Sequence, residues 1–281
     1  MTTQEPSKKP KNTREPWFSA ASALVDLLLP PACRLCDEPV NSDQYFCHSC
    51  RLTLALSEPK MVSACVRCGR PGDINSANSR IQANDSGEIP CCSLCEKEKF
   101  HFDTVIAKWT YEGRVCDAII AAKYARQAPL GHALGCLLGE RVDASMGDDL
   151  PDVITFVPSS VPRQLSRGGR NGNVAIAEGV QSTLRGNGKI IPLSKVLRTT
   201  RSIQKQAWLS DKERRENARG AFAAQKSYAW NRVFPIFQQH ILLVDDVLTT
   251  GATSNEVSRV LVEAGARRVT LAVVARAVWS K

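Results

Sequence analysis

The sequence predicts an α/β protein, a mostly parallel sheet flanked by helices, with a cysteine-rich module at its N-terminal side. Three observations carry this. Four Cys-x2-Cys knuckles fall between Cys33 and Cys95. After Cys95, short β-branched runs alternate with segments of helical period. One such run, His240 to Val244, leads into Asp245-Asp246 and a turn rich in Thr and Gly, after which helical period resumes.

Taken in order, residues 1–16 are a polar tail bearing Lys and Pro, a composition that favours disorder. Trp17 to Leu29 reads as a short amphipathic helix with Leu24, Leu27 and Leu28 on one side, stopped by Pro30 and Pro31. It suits packing on the cysteine module, with membrane contact as the alternative. Its apolar stretch, Ala20 to Leu29, is broken by Ser22 and Asp26 and falls short of the ~20 residues that span a bilayer. No membrane insertion is expected. No small-residue cleavage site follows that stretch, so a reducing, cytoplasmic setting is expected, where paired cysteines bind metal rather than form disulfides.

The spacing agrees. Cys33-x2-Cys36 is followed by Cys47-x2-Cys50, and Cys65-x2-Cys68 by Cys92-x2-Cys95. Each knuckle aims two thiolates at one point, and two knuckles close a tetrahedron. The expectation is about two Zn2+, both structural, because four thiolates leave no open position. In the second set Cys91 competes with Cys92, and the 22 residues between Cys68 and Cys91 read as a mobile loop. His48 is read as a bystander. Zinc replaces the apolar core that so small a segment lacks. The domains expected are thus a tail at 1–16, helix and ribbons at 17–98, and the α/β domain at 99–281.

In the α/β domain, Asp103 to Tyr111 alternates like a strand, and Arg114 to Ala125 and Gly131 to Ala144 read as helices. Gly131, Gly135 and Gly139 recur every four residues, the mark of a close helix contact. Cys116 and Cys136 read as small buried apolar residues. Asp152 to Val157 is a short buried strand running into Pro158-Ser159-Ser160. Asn173 to Leu184 is helical, Lys195 to Thr199 a strand, and Ser210 to Gly220 a helix with a Ser210–Glu213 capping box. Val257, Val260, Leu261 and Ala264 mark one face of a helix, and Arg268 to Ala275 is the last strand. In Gln225 to Gln239, the aromatics Tyr228, Trp230, Phe234 and Phe237 suit packing, with base stacking as the alternative.

The chemistry concentrates at residues 241–253. Carboxyl ends of strands are where open α/β sheets bind ligands. Amides of a turn opening a helix attract anions, Gly251 allows close approach, and Thr249, Thr250 and Thr253 add hydroxyls. Asp245 and Asp246 repel a phosphate and so call for another partner. A ribose diol, with or without Mg2+, satisfies them. A sugar phosphate meets both demands. Neither a Walker loop nor G-x-G-x-x-G after a strand is present. The net charge is +9, and Lys195 to Arg219 holds eight basic residues against three acidic. That surplus attracts phosphate, in nucleic acid or in a metabolite.

Ile241 to Thr253 resembles the phosphoribosyl pyrophosphate (PRPP) motif of type I phosphoribosyltransferases. The wider pattern, over about residues 24–276, resembles the ComF family of competence-associated proteins, which joins a double zinc ribbon to a phosphoribosyltransferase-like domain. Tyr111-Glu112-Gly113 with Lys123 is similar to that family's Tyr-x-Gly and helix-borne Lys. Val157-Pro158 is similar to its pyrophosphate-loop strand. Arg167-Gly168 is similar to its Arg-Gly segment, though here Gly169-Arg170-Asn171-Gly172-Asn173 replaces the usual Phe-Asn-Gln continuation. The run through Gln206, Leu209, Arg214, Asn217 and Ala221-Phe222 is similar to its Gln-x-x-Leu…Arg-x-x-Asn…Ala-Phe pattern.

The resemblance implies that Asp245 and Asp246 hold the ribose hydroxyls, Mg2+ or both, and that Thr249, Thr250, Gly251, Ala252 and Thr253 hold the 5-phosphate. Lys123, Arg167 and the loop Val157, Pro158, Ser159 and Ser160 would face pyrophosphate. It implies either a transferase acting on PRPP with an unassigned acceptor, or a non-catalytic PRPP sensor that contacts single-stranded DNA beside a helicase-like partner during DNA uptake.

Overall fold

The computed structural model describes residues 30–42, 44–72, 92–93, 95–96, 98–202, 210–225 and 234–278. The expected tail, the helix at 17–29, most of the loop after Cys68, Cys91, Tyr228, Trp230, Gln206 and Leu209 lie outside these residues. The chain divides into two compact units, residues 1–47 and 48–281.

The first unit's described part is a knuckle. Cys33 N donates to Glu38 O at 2.7 Å and Arg34 N to Tyr45 O at 2.9 Å, while Asp37 takes a left-handed φ of 61° to turn the chain. An antiparallel bridge, Ala32 to Pro39, closes the turn.

The second unit is built on four parallel strands: β1 (Thr104–Thr110), β2 (Val153–Phe156), β5 (His240–Leu248) and β6 (Arg268–Arg276), in the order β1-β6-β5-β2. The sheet is the mostly parallel one that the sequence predicts. Ile241, Leu242, Leu243 and Val244 are all fully buried, as a strand covered on both faces requires. A small antiparallel pair, β3 (Leu197–Thr199) with β4 (Phe222–Ala224), stands apart, with Thr199 opposite Phe222.

The helices are α1 (His48–Ala55), α2 (Gly113–Ala122), α3 (Ala128–Met146), α4 (Val161–Leu165), α5 (Gly172–Gly186), α6 (Asp211–Ala218) and α7 (Ala252–Glu263). Val257, Val260 and Leu261 of α7 join Val153, Ile241, Leu243, Val269 and Leu271 of the sheet in one core. The capping box of α6 forms as the sequence indicates: Ser210 Oγ accepts from Glu213 N, and the Glu213 carboxylate accepts from Ser210 N.

The glycines of α3 do serve a helix contact. A Cβ on Gly135 would stand 2.1 Å from the Ile176 carbonyl oxygen of α5, and one on Gly179 the same distance from His132 O. Backbone faces backbone here, so nothing can yield by turning a rotamer. Gly135→Ala is therefore expected to cost about 3 kcal/mol, the upper end for overpacking, read as a lower urea midpoint.

Four expectations change. Strand β5 runs on through the two aspartates to Leu248, because its pairing with β6 continues through Asp245–Val273 and Leu248–Arg276. Cys116 and Cys136 are half-buried rather than core, and the Cys136 thiol meets His132 Nδ1 at 3.6 Å. Helices α1 and α4 and strand β4 are short elements that the periodicity does not reveal. Phe234 packs against the core, whereas Phe237 is exposed.

Candidate functional site

Strands β2 and β5 lie side by side, Phe156 opposite Val244, and their carboxyl ends open on a cavity of about 220 Å3. One wall is the turn after β5, where Thr249, Gly251, Ala252 and Thr253 line the cavity. Gly251 caps α7 with φ 83°, a left-handed conformation that only glycine adopts without strain. The residue after it begins the helix, so the turn's amides and the positive end of the helix dipole meet the cavity together. Thr250 does not line the cavity. Its hydroxyl accepts from Ala252 N at 3.4 Å and braces the turn instead.

The opposite wall is the loop after β2. Val157, Pro158, Ser159 and Ser160 line it, as do Arg163 of α4 and Arg167. This loop is held from behind. Asn171 and Asn173 each donate an Nδ2 hydrogen to Val157 O, at 3.0 and 3.1 Å. Asn171 also caps α5, its side chain accepting from Asn173 N. Arg170 turns away to pair with Glu178 at 2.6 Å. In the segment where the sequence departs from the family pattern, Arg167, Asn171 and Asn173 face the cavity and Arg170 does not.

The two acids differ. Asp245 is buried, and both of its oxygens are engaged: Oδ1 accepts from Asn173 Nδ2 at 3.0 Å and from Asp246 N at 2.9 Å, Oδ2 from Ser254 Oγ at 3.1 Å. Burial, and then the charge of Asp246, push its carboxyl up to about 7. Asp246 is more open and pairs with Lys123 Nζ at 2.8 Å. The cavity thus gathers Lys123, Arg163 and Arg167 against Asp245 and Asp246. Burial, then Arg167, press the Arg163 guanidinium below its ordinary value, and Asp246 opposes that. An anion placed between the two arginines would relieve the strain.

Of the residues singled out in the sequence, Lys123, Val157, Pro158, Ser159, Ser160, Arg167, Phe222, Asp245, Asp246, Thr249, Gly251, Ala252 and Thr253 come together, and Thr250 stands behind them. Asn171, Asn173, Arg163 and Ser254 also line the cavity. Of these, Asn171 carried a readable signal, an Asn before a helical pattern. The others are brought in by tertiary contacts.

The cysteines form two sets. In each of Cys33, Cys36, Cys47, Cys50 and Cys65, Cys68, Cys92, Cys95, all four sulfurs lie within 4.8 Å of one another. Among the described residues Cys92 completes the second set, with Sγ 3.7 Å from Cys68 Sγ and 3.6 Å from Cys95 Sγ. Four converging thiols fit a tetrahedral zinc and leave no place for water, so both are structural zinc sites. His48 belongs to neither. A hydrogen bond from Cys68 holds Cys65 low, about 4, while burial and neighbouring thiolates push Cys95 up to about 12. Four sulfurs this close cannot all ionise by themselves, and a divalent cation removes the conflict.

Residues 24–96 match the double zinc ribbon domain family. The chain is 27% identical over 226 residues to the DNA utilization protein YhgH of Escherichia coli, covering 79% of this chain and 93% of that protein. It is 27% identical over 248 residues to competence protein F of Haemophilus influenzae, covering 85% of this chain and all of that protein. Among solved structures, a glutamine PRPP amidotransferase from B. subtilis superimposes with a TM-score of 0.35 at 20% identity, over 56% of this chain and 30% of that one. The chain is a homologue of competence protein F and YhgH, a double zinc ribbon joined to a mostly parallel α/β domain.

Proposed function

We propose that this chain is a competence-related, phosphoribosyltransferase-like protein whose cavity binds PRPP or a related ribose phosphate. The observation that carries the reading is one cavity in which a helix-opening Thr/Gly turn, two carboxylates and three basic side chains converge. Amides and hydroxyls of Thr249, Gly251, Ala252 and Thr253 receive the 5-phosphate. Asp246, the more open acid, meets the ribose hydroxyls. Asp245, with both oxygens engaged, orients Asn173 and Ser254 around it. Lys123, Arg163, Arg167 and the 157–160 loop receive the pyrophosphate.

In a transferase, the bond from ribose C1 to pyrophosphate oxygen breaks as the acceptor's lone pair bonds to C1. Positive charge grows on the ring, and pyrophosphate leaves with the electron pair. The chain then contributes position and charge: the Asp246 carboxylate faces the developing cation, and the basic side chains take up the leaving group's charge. Mg2+ arriving with PRPP would be held by carboxylate oxygen, Asp246 first, and would neutralise part of the pyrophosphate charge. Calorimetry with PRPP, with and without Mg2+, is expected to give saturable one-to-one binding, followed by pyrophosphate release when an acceptor base is supplied. No heat with PRPP under either condition sinks the reading.

A second reading makes the cavity a sensor and the protein a contact for single-stranded DNA, beside a helicase-like partner in DNA uptake in the cytoplasm. It is favoured by the exposure of Lys195, Arg198, Lys212, Arg215 and Arg219, and by the names of the two relatives. PRPP binding without pyrophosphate release from any base, together with oligonucleotide affinity that falls steeply with salt, supports it.

A further inference from the structure

Arg276, the last residue of β6, is a buried cation that touches both the second cysteine set and the ligand turn. Its Nε donates to Cys68 O at 3.0 Å. Its Nη1 donates to Leu248 O at 2.8 Å, to Ala277 O at 2.7 Å and to Thr249 O. All four acceptors are main-chain carbonyls, and among the described residues no carboxylate pairs with it. A buried guanidinium without counter-charge is costly. Hydrogen bonds to neutral carbonyls engage Nε and Nη1 but do not offset the charge.

The neighbouring source of negative charge is the set to which Cys68 belongs. A zinc ion in four thiolates carries a net charge of about −2. The knuckle is also seated firmly against the sheet. A Cβ on Gly69 would stand 2.6 Å from Val105 Cγ1 of β1, and Val105 N donates to Val66 O at 2.8 Å. Arg67 binds the carbonyls of Phe100, Phe102 and Asp103.

We propose that the zinc centre of Cys65, Cys68, Cys92 and Cys95 is the counter-ion of Arg276, and that Arg276 is a positioning residue that fixes the carbonyls entering the ligand turn. Metal loading of the second ribbon therefore sets the shape of the cavity wall. Leu248 and Thr249 lie just before Gly251, so a shift of their carbonyls moves the amides that follow. The ligand half of this inference rests on the proposed sugar-phosphate reading. The metal half does not.

The experiment uses the full zinc-loaded chain, challenged with a chromogenic chelator. In Arg276→Met, one of the two zinc ions is expected to leave at least ~10-fold faster than in the wild type, as loss of an outer partner does elsewhere, and the other at the wild-type rate. Arg276→Lys keeps the charge but loses the fork. It is expected to release zinc within about twofold of the wild type while PRPP binding weakens ~10-fold. Wild-type zinc release from Arg276→Met overturns the proposal, as does Arg276→Lys releasing zinc as fast as Arg276→Met. If neither variant folds, hydrogen exchange on the wild type decides. Loss of the second ion, located by alkylation of Cys65 and Cys68, should deprotect amides 249–252 but not those of His240 to Val244, and unchanged protection at 249–252 overturns it. Failure of the wild type to bind PRPP removes the functional reading alone, since zinc release is measured without ligand.

Discussion

Asparagine at both 245 and 246 is expected to weaken PRPP binding by at least ~100-fold while the chain stays folded. Each carboxylate lost removes a charge-assisted contact of roughly 1.5–3 kcal/mol, directly at Asp246 and through Asn173 and Ser254 at Asp245. Two such losses make about 3–6 kcal/mol, and a factor of ten follows each 1.4 kcal/mol. Asparagine is chosen over alanine because its carbonyl can still accept from Asn173 Nδ2 and Asp246 N, and its amide can donate to the Ser254 hydroxyl that now donates to Asp245. Two measurements separate the outcomes: calorimetry for the ligand, and circular dichroism with a thermal melt for the fold. Undiminished binding by a folded double variant would remove both acids from the site.

How far the sequence discloses this site depends on how far each contact reaches along the chain. The cysteine sets are legible because each knuckle is local, and four of them leave few ways to close a tetrahedron. The turn at Thr249 to Thr253 is legible for the same reason: strand, acids, glycine and helix start follow one another within thirteen residues. Asn173 is not legible. It acts by bridging Val157 O and Asp245 Oδ1, and the second of these lies 72 residues away. Arg163 reaches the cavity only because a five-residue helix, too short to show a period, follows the β2 loop. Arg276 reads in sequence as the end of an apolar strand, and its contact with Cys68 spans 208 residues.

The end of β5 illustrates a different limit. Two adjacent acids look like the close of a strand, since Asp is disfavoured there. The pairing with β6 nonetheless carries the strand past them to Leu248. Tertiary pairing overrides local preference, and the outcome buries one acid and leaves its neighbour facing Lys123. An arrangement that sets local preference aside and leaves a carboxylate in the interior is the kind found at functional sites.

That burial has a measurable consequence for stability. The Asp245 carboxyl stands at about 7 in the folded chain against an ordinary 3.8. Below about pH 4 the group is protonated in both folded and unfolded chains and favours neither. Between about pH 4 and 7 the unfolded chain gives up the proton while the folded chain keeps it, so stability falls as pH rises. Above 7 the cost is complete, on the order of 4 kcal/mol at ~1.4 kcal/mol per pH unit of displacement. Asp245→Asn removes the charge and keeps the shape. It is expected to be more stable than the wild type at pH 8 by that order, with the gain fading to nothing near pH 3.5. Urea unfolding of both proteins across this range isolates the effect, because the acid loss of zinc is common to the two and cancels in the difference. A gain that does not change with pH, or a loss at pH 8, would mean that Asp245 is comfortable as an anion without a ligand. With PRPP bound, the wild type should recover part of the difference, since Mg2+ or the Asp246–ribose contact disperses the charge that makes Asp245 hard to ionise.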